Sequence, residues 1–190
     1  LRHRQALNAG FKNYRDYMHT AKNRLDYTPQ DCLQFHESIE KEILPLCSEI
    51  LEKRKKLMKL PSLRPYDLKN DALGRPPLKP FETEPELIEK GLKVLSLVHP
   101  EAGEVLSRMK AQGHLDLFSR NRKAPGGYNY PLLQSRSSFI FMNAAGLHRD
   151  VVTLLHEAGH AYHAALTDEE PVFAYRSPGM EVAELASMSM

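Results

Sequence analysis

His156-Glu157-Ala158-Gly159-His160 sets two imidazoles four residues apart, with a carboxylate directly after the first. On an α-helix, positions four apart differ by about 40° in direction and about 6 Å in height, so both rings can turn toward one ion from the same face. Glu157, about 100° round from His156, flanks that ion without ligating it, where a general base must stand to take a proton from an activated water. Zinc accepts neutral imidazole and carboxylate, and three protein ligands leave a position open for water whose pKa falls toward neutrality. The spacing therefore points to one zinc ion and to hydrolysis by water with no acyl-enzyme. Gly159 adds a second signal. A glycine inside a helix costs about 1 kcal/mol relative to alanine, so its presence implies that another segment approaches the helix closely there.

A third ligand is required, and Met180 to Ala186 offers two acids, Glu181 and Glu184, in a helix-patterned segment beyond a connecting loop. The remaining histidines are poor ligands. His163 shares the face of His160 but stands about 10 Å along the helix from His156, too far for three imidazoles to reach one ion near 2 Å. It reads as a packed histidine or one that orients a ligand. His148 fails the same test, and His3, His19, His36, His99 and His114 have no ligand-like spacing.

The elements that must position these groups follow from breakers and periodicity. Residues 2–24 are rich in helix formers, and Thr28-Pro29 opens a long helix to about Lys59 that Pro45 should kink or split. Five prolines between Leu60 and Phe81 exclude regular helix there, although Leu63, Tyr66 and Leu68 suggest that the segment packs. Thr83 with Glu86 is a capping box for a helix to about His99, which restarts near Pro100 and ends at Gly113. Tyr128–Leu133 and Ser138–Asn143 have strand composition, with Gln134-Ser135-Arg136 as the turn of a hairpin. The motif helix runs from Arg149 to Leu166 with Val152, Leu155, Gly159, Tyr162 and His163 on its buried pattern, and a last helix opens at Ser177-Pro178. The class is mainly α, with a small β-hairpin just before the zinc helix. The whole chain reads as part of one domain, a helical scaffold over 1–113 and a hairpin, zinc helix and third-ligand helix over 114–190.

Composition removes other classes of function. With 26 Lys+Arg against 24 Asp+Glu the formal charge is +2, too little to grip a phosphate backbone, and Lys53 to Lys56 reads as a solvated helix end. No nucleic-acid or membrane partner is expected, since no apolar run approaches the roughly 20 residues that span a bilayer. Cys32 and Cys47 imply no disulfide framework and read as reduced core thiols in a cytoplasmic protein. Composition leaves the oligomeric state open.

The zinc motif continues as His156-Glu-Ala-Gly-His-Ala-Tyr-His163, and Val182-Ala-Glu-Leu-Ala-Ser187 follows it. Together with Leu63-Arg-Pro-Tyr-Asp-Leu68, Lys123-Ala-Pro-Gly-Gly-Tyr128 and Phe139-Ile-Phe-Met-Asn143, these stretches resemble the oligoendopeptidase F family, relatives of thimet oligopeptidase. The resemblance implies a helical zincin-type catalytic domain and a metalloendopeptidase acting on short peptides. It assigns Glu184 as third ligand beside His156 and His160, and Phe139, Ile140, Phe141, Met142 and Asn143 as an edge on which substrate backbone lies. A strand beside a zinc helix supports that last point independently, because its backbone groups can hold an extended peptide. Glu181 is then either a partner orienting a ligand imidazole or a solvated acid at a helix start. The family's enzymes are several times longer, so the chain reads as an interior slice of a catalytic domain, expected to be weakly active or inactive alone. The competing reading is a catalytically idle zinc-binding or structural fragment.

Overall fold

The computed structural model describes residues 1–190, which form two compact units, Leu1–Pro77 and Leu78–Met190. That division lies well before the change of sequence character at 113/114, because the helices following Leu78 pack with the sheet and the motif helix.

The first unit is helical: α1 (Arg2–Asn8), α2 (Tyr14–Ala21), α3 (Pro29–Ser38) and α4 (Leu44–Leu57). The expected helix-rich run over 2–24 is broken at Gly10, whose φ of 82° ends α1. Asn13 restarts the chain by accepting the Asp16 backbone N–H at 2.9 Å. Thr28 and Asp31 form a reciprocal capping box for α3. Pro45 splits the long helix as expected. A π-helical turn over Ile39–Ile43 joins α3 to α4, a wider winding that accommodates the donor and space proline takes from the preceding turn.

In the irregular segment after α4 only Leu63 of the three apolar residues is half-buried, while Tyr66 and Leu68 are exposed. Arg54 holds the segment, donating to the Asp67 carbonyl and to that of Asn70. The basic helix end is solvated, with Lys55 paired to Glu52 at 2.6 Å. Cys47 is exposed and Cys32 half-buried, so neither is a core thiol; both sit on a helix with no buried residue.

The second unit holds the hydrophobic core cluster. Helix α5 (Glu84–Val98) starts at Thr83, which accepts the Glu86 N–H, while the Glu86 carboxylate reaches back to the Glu82 N–H, one residue short of a reciprocal box. Helix α6 (Pro100–Ala111) ends in a Schellman turn: Gly113 at φ +70°, His114 N–H to Met109 carbonyl and Gly113 N–H to Lys110 carbonyl.

Three strands follow: β1 (Leu115–Phe118), β2 (Tyr128–Leu132) and β3 (Ser137–Ala144). The expected hairpin is β2–β3, antiparallel from Tyr128↔Phe141 to Leu132↔Ser137. Beyond the hairpin there is a third strand, β1, which pairs parallel with β3 to give the order β1-β3-β2. β3 alternates strictly, with Ser138, Ile140, Met142 and Ala144 buried and their neighbours half-buried. The free side of β1 is capped where the Leu117 N–H donates to the Glu84 carboxylate at 2.9 Å.

Helix α7 (His148–Thr167) carries the motif and packs across this sheet. Its buried residues are Leu154, Glu157, Ala158, Gly159 and Ala161, whereas Val152, expected on the buried pattern, is exposed. Leu154 is fully buried, which contributes about 1.5–3 kcal/mol relative to an exposed position. A short 3-10 turn (Phe173–Arg176) leads to α8 (Met180–Met188), which begins two residues after Pro178 and packs on α7.

Candidate metal centre

One turn of α7 presents His156 and His160 on the same side, their ring centroids 4.8 Å apart and their planes at 83°. Glu184 comes to them from α8. Its Oε2 lies 3.5 Å from His156 Nε2 and its Oε1 lies 3.7 Å from His160 Nε2. The three residues offer one ligand atom each within 4.8 Å of one another. A tetrahedral zinc with bonds of about 2.0–2.2 Å spaces its ligand atoms by about 3.4 Å, so the two imidazoles and the carboxylate fit such an ion with little adjustment. His163, one turn on, is outside the group, as its height on the helix requires. Glu181 is exposed in the first turn of α8.

The approach of α8 explains Gly159. A Cβ at that position would stand 2.9 Å from the Ser187 Cα, 3.1 Å from the Ser187 carbonyl oxygen and 2.7 Å from the Met190 Cγ. Hydrogen alone lets the two helices meet here, at the turn that carries Glu184. Ser187 is buried at the same contact. Its hydroxyl donates to the Glu184 carbonyl at 2.9 Å and lies 3.5 Å from His156 Nε2.

Glu157 lies outside the ligand group and is 6% exposed. Burial raises its pKa above 4.5, with the Glu184 carboxylate adding to the rise and the charge of His156 and the Asn129 backbone amide opposing it. His160 is displaced downward from 6.5, first by burial and then by the charge of His156, with Glu184 opposing. It is therefore neutral, as a metal ligand must be, over a wider pH range than an exposed histidine.

The raised Glu157 pKa fixes the sign of a pH effect in the metal-free chain. Between pH 4.5 and that pKa the folded state binds more protons than the unfolded one, so stability is lost as pH rises through this window. Glu157→Gln removes the ionisation. Its unfolding free energy relative to the parent, from denaturant titration in the presence of a chelator, is expected to be constant below pH 4.5 and to grow above it. A pH-independent difference would show that burial does not hold the carboxyl neutral.

The strand expected to carry substrate is differently placed. Phe139, Ile140 and Phe141 are not on an edge, because β3 is the central strand and pairs on both sides. Ile140 and Met142 are buried in the core, and Phe141 stacks on Tyr128 with centroids 5.0 Å apart. Only Met142 and Asn143 reach the concavity of about 550 Å³ beside Glu157, where they meet Gly126, Gly127, Thr153 and His156. The unpaired edge nearest α7 belongs to β2, whose Asn129 side chain donates to the Glu157 carbonyl at 3.4 Å.

Lys123, whose loop position gives no sign of burial in the sequence, organises this region. Its side chain is 1% exposed, and its ammonium donates to the Asp116 carboxylate (2.9 Å), to the Asp116 carbonyl (2.9 Å) and to the Phe118 carbonyl (2.8 Å). It also lies 4.5 Å from the Phe141 ring centroid. Arg120 grips the same Asp116 with both nitrogens, and together the two cations hold that carboxyl at a pKa of about 2. Asn143 fastens the loop's other end through the Ala124 and Gly126 carbonyls, both at 2.9 Å. The Gly126-Gly127 backbone is thereby held beside Glu157.

Comparison with known proteins matches residues 1–190 to the family described as Peptidase family M3. The chain is similar to the chromosomal oligoendopeptidase F of Lactococcus lactis subsp. cremoris, 26% identical over 147 residues, which cover 76% of this chain and 23% of that protein. It is likewise similar to oligopeptidase PepF of Bacillus subtilis, 27% identical over 145 residues, covering 76% of this chain and 21% of that protein. The solved structure of Pz peptidase A with an inhibitor superposes on 99% of this chain and 33% of its own, with a TM-score of 0.90 and 30% identity. The architecture is thus the mainly helical fold of oligoendopeptidases. Within that class the chain belongs to peptidase family M3. It spans less than a third of the length of these curated relatives. No helix is long and apolar enough to cross a membrane.

Proposed function

We propose that this chain carries the zinc centre of a metalloendopeptidase that hydrolyses short peptides, with His156, His160 and Glu184 holding the ion and Glu157 acting as general base. The observation that carries this reading is the convergence of two imidazoles from α7 and one carboxylate from α8 at ligand spacing, beside a buried acid that takes no part in the group. When bound, zinc would supply Lewis acidity, lowering the pKa of water and polarising the scissile carbonyl.

The chain's own groups perform the proton work. Glu157 accepts a proton from water as the water oxygen bonds to the carbonyl carbon, then delivers it to the amide nitrogen as the C–N bond breaks, so the products are a carboxylic acid and an amine. The raised pKa of Glu157 suits both halves of this transfer. Extended substrate lies along the free edge of β2 and past Gly126-Gly127; with the Asn129 N–H turned to Glu157 and none on Pro131, that edge offers a peptide chiefly its carbonyls.

A quenched fluorescent peptide of roughly eight residues, a length that spans an active-site groove, tests the reading. Hydrolysis should be lost on chelation and restored by zinc. Cleavage indifferent to chelator, or a chain that takes up no zinc, would contradict it.

A further inference from the structure

The mechanism uses the concavity on the Glu157 side of the metal group and leaves a second one unassigned. This cavity measures about 210 Å³ and opens beside the C-terminal half of α7, where His160 and His163 form part of its wall. Its volume equals roughly seven water molecules, room for one side chain and its attached polar group rather than a stretch of chain. The surface is chiefly apolar, with Val105, Leu132, Ala161, Ala164 and Pro178 among its contributors. Around it stand three arginines from separate elements, Arg108 of α6, Arg136 of the β2–β3 turn and Arg176 of the 3-10 turn, against one carboxylate, Asp168.

The arginines are not equivalent. Arg176 is engaged, its Nε donating to the Glu170 carbonyl at 2.8 Å and its Nη1 lying 3.9 Å from Asp168, so it braces the 168–176 loop. Arg108 and Arg136 are exposed and make no hydrogen bond or ion pair with the protein. Two uncommitted guanidiniums beside an apolar hollow form a site for a group that is apolar in its body and carries a planar anion, since the guanidinium fork matches carboxylate geometry. Because His160 borders the hollow, a peptide crossing the metal group would place a neighbouring residue in it.

We propose that this cavity is a subsite for a carboxylate-bearing residue of the substrate, its side chain on the apolar wall and its carboxylate against Arg108 and Arg136. The proposal deepens the peptidase reading and rests on it for the identity of the ligand as a peptide. The carboxylate has two possible sources, the free α-carboxylate of a peptide's last residue and an aspartate or glutamate side chain.

Fluorescence anisotropy on the 190-residue chain in the presence of a chelator tests this without hydrolysis. Three N-terminally labelled tetrapeptides would be compared: one ending in leucine as the free acid, the same sequence as its amide, and an amide ending in glutamate. The free acid is expected to bind at least tenfold more tightly than the leucine amide. Arg108→Met with Arg136→Met should erase that difference while leaving the leucine amide unaffected. A glutamate amide that matches the free acid supports a site that reads carboxylate from a side chain as well; one that matches the leucine amide supports the chain terminus as the source. Equal binding of acid and amide, no binding of the acid, or an acid preference undiminished in the double variant would overturn the proposal. Zinc uptake is measured separately: a chain that binds and uses zinc but shows no acid preference refutes this subsite alone, and an acid preference in a chain that takes up no zinc leaves it standing while the metallopeptidase reading fails.

Discussion

In a chain long enough to be active, Glu157→Gln is expected to leave zinc content unchanged and to lower peptide hydrolysis by about 10²–10⁴-fold, the range typical of a lost general base. The geometry separates the two effects. Glu157 is absent from the group formed by His156, His160 and Glu184, so an isosteric amide removes no ligand atom. What it removes is the acceptor for the water proton and the donor to the leaving nitrogen. Metal analysis and turnover of the same preparation give both quantities. Loss of zinc would mean that the carboxylate is a ligand, and hydrolysis near the parent rate would mean that another group carries the proton.

Gly159→Val is expected to reduce zinc affinity by tenfold or more while the helical circular dichroism signal is retained. The β-carbon alone would meet the Ser187 backbone at 2.9 and 3.1 Å, and the branched methyls extend further. Met190 can swing aside, but the Ser187 backbone cannot yield without moving α8. Glu184 is one turn earlier on that helix, so its carboxylate is carried away from the imidazoles. Gly159→Ala should show a smaller effect of the same sign, because one carbon must be accommodated while helix propensity improves by about 1 kcal/mol. Zinc titration against a competing chelator measures both variants, and affinity equal to the parent in Gly159→Val would show that the close helix contact does not position Glu184.

Much of this site was legible because helical geometry is local. The i, i+4 histidines, the flanking acid and the exclusion of His163 follow from rise and rotation along one helix, and the glycine gave notice of a close neighbour. The identity of that neighbour did not follow. Glu181 and Glu184 are both plausible acids by spacing, and the resemblance to oligoendopeptidases, rather than the pattern, singles out the one that faces the histidines.

Sheet position was the least legible feature, because it depends on pairing between distant segments. The alternation in Ser137–Ala144 gives a strand and the preceding residues give a hairpin, but nothing local says that β3 acquires a second neighbour. Leu115-Asp-Leu-Phe118 carries a short apolar alternation just after the helix-ending Gly113, a signal that could have disclosed β1. With β1 in place, the edge beside α7 is β2. Lys123 was illegible for a related reason. A lysine in a loop reads as solvated, and only the folded chain brings Asp116, the Phe118 carbonyl and the Phe141 ring to one point.

Zinc stoichiometry in the purified chain tests the metal centre most directly. Dialysed to remove loose metal and measured by atomic emission, the parent should hold about one zinc per molecule, and His160→Ala and Glu184→Ala should each hold far less under the same dialysis, since each loses one of three protein ligands. A parent chain without zinc, or a His160→Ala variant with its zinc undiminished, would contradict the assignment of His156, His160 and Glu184 as the metal site.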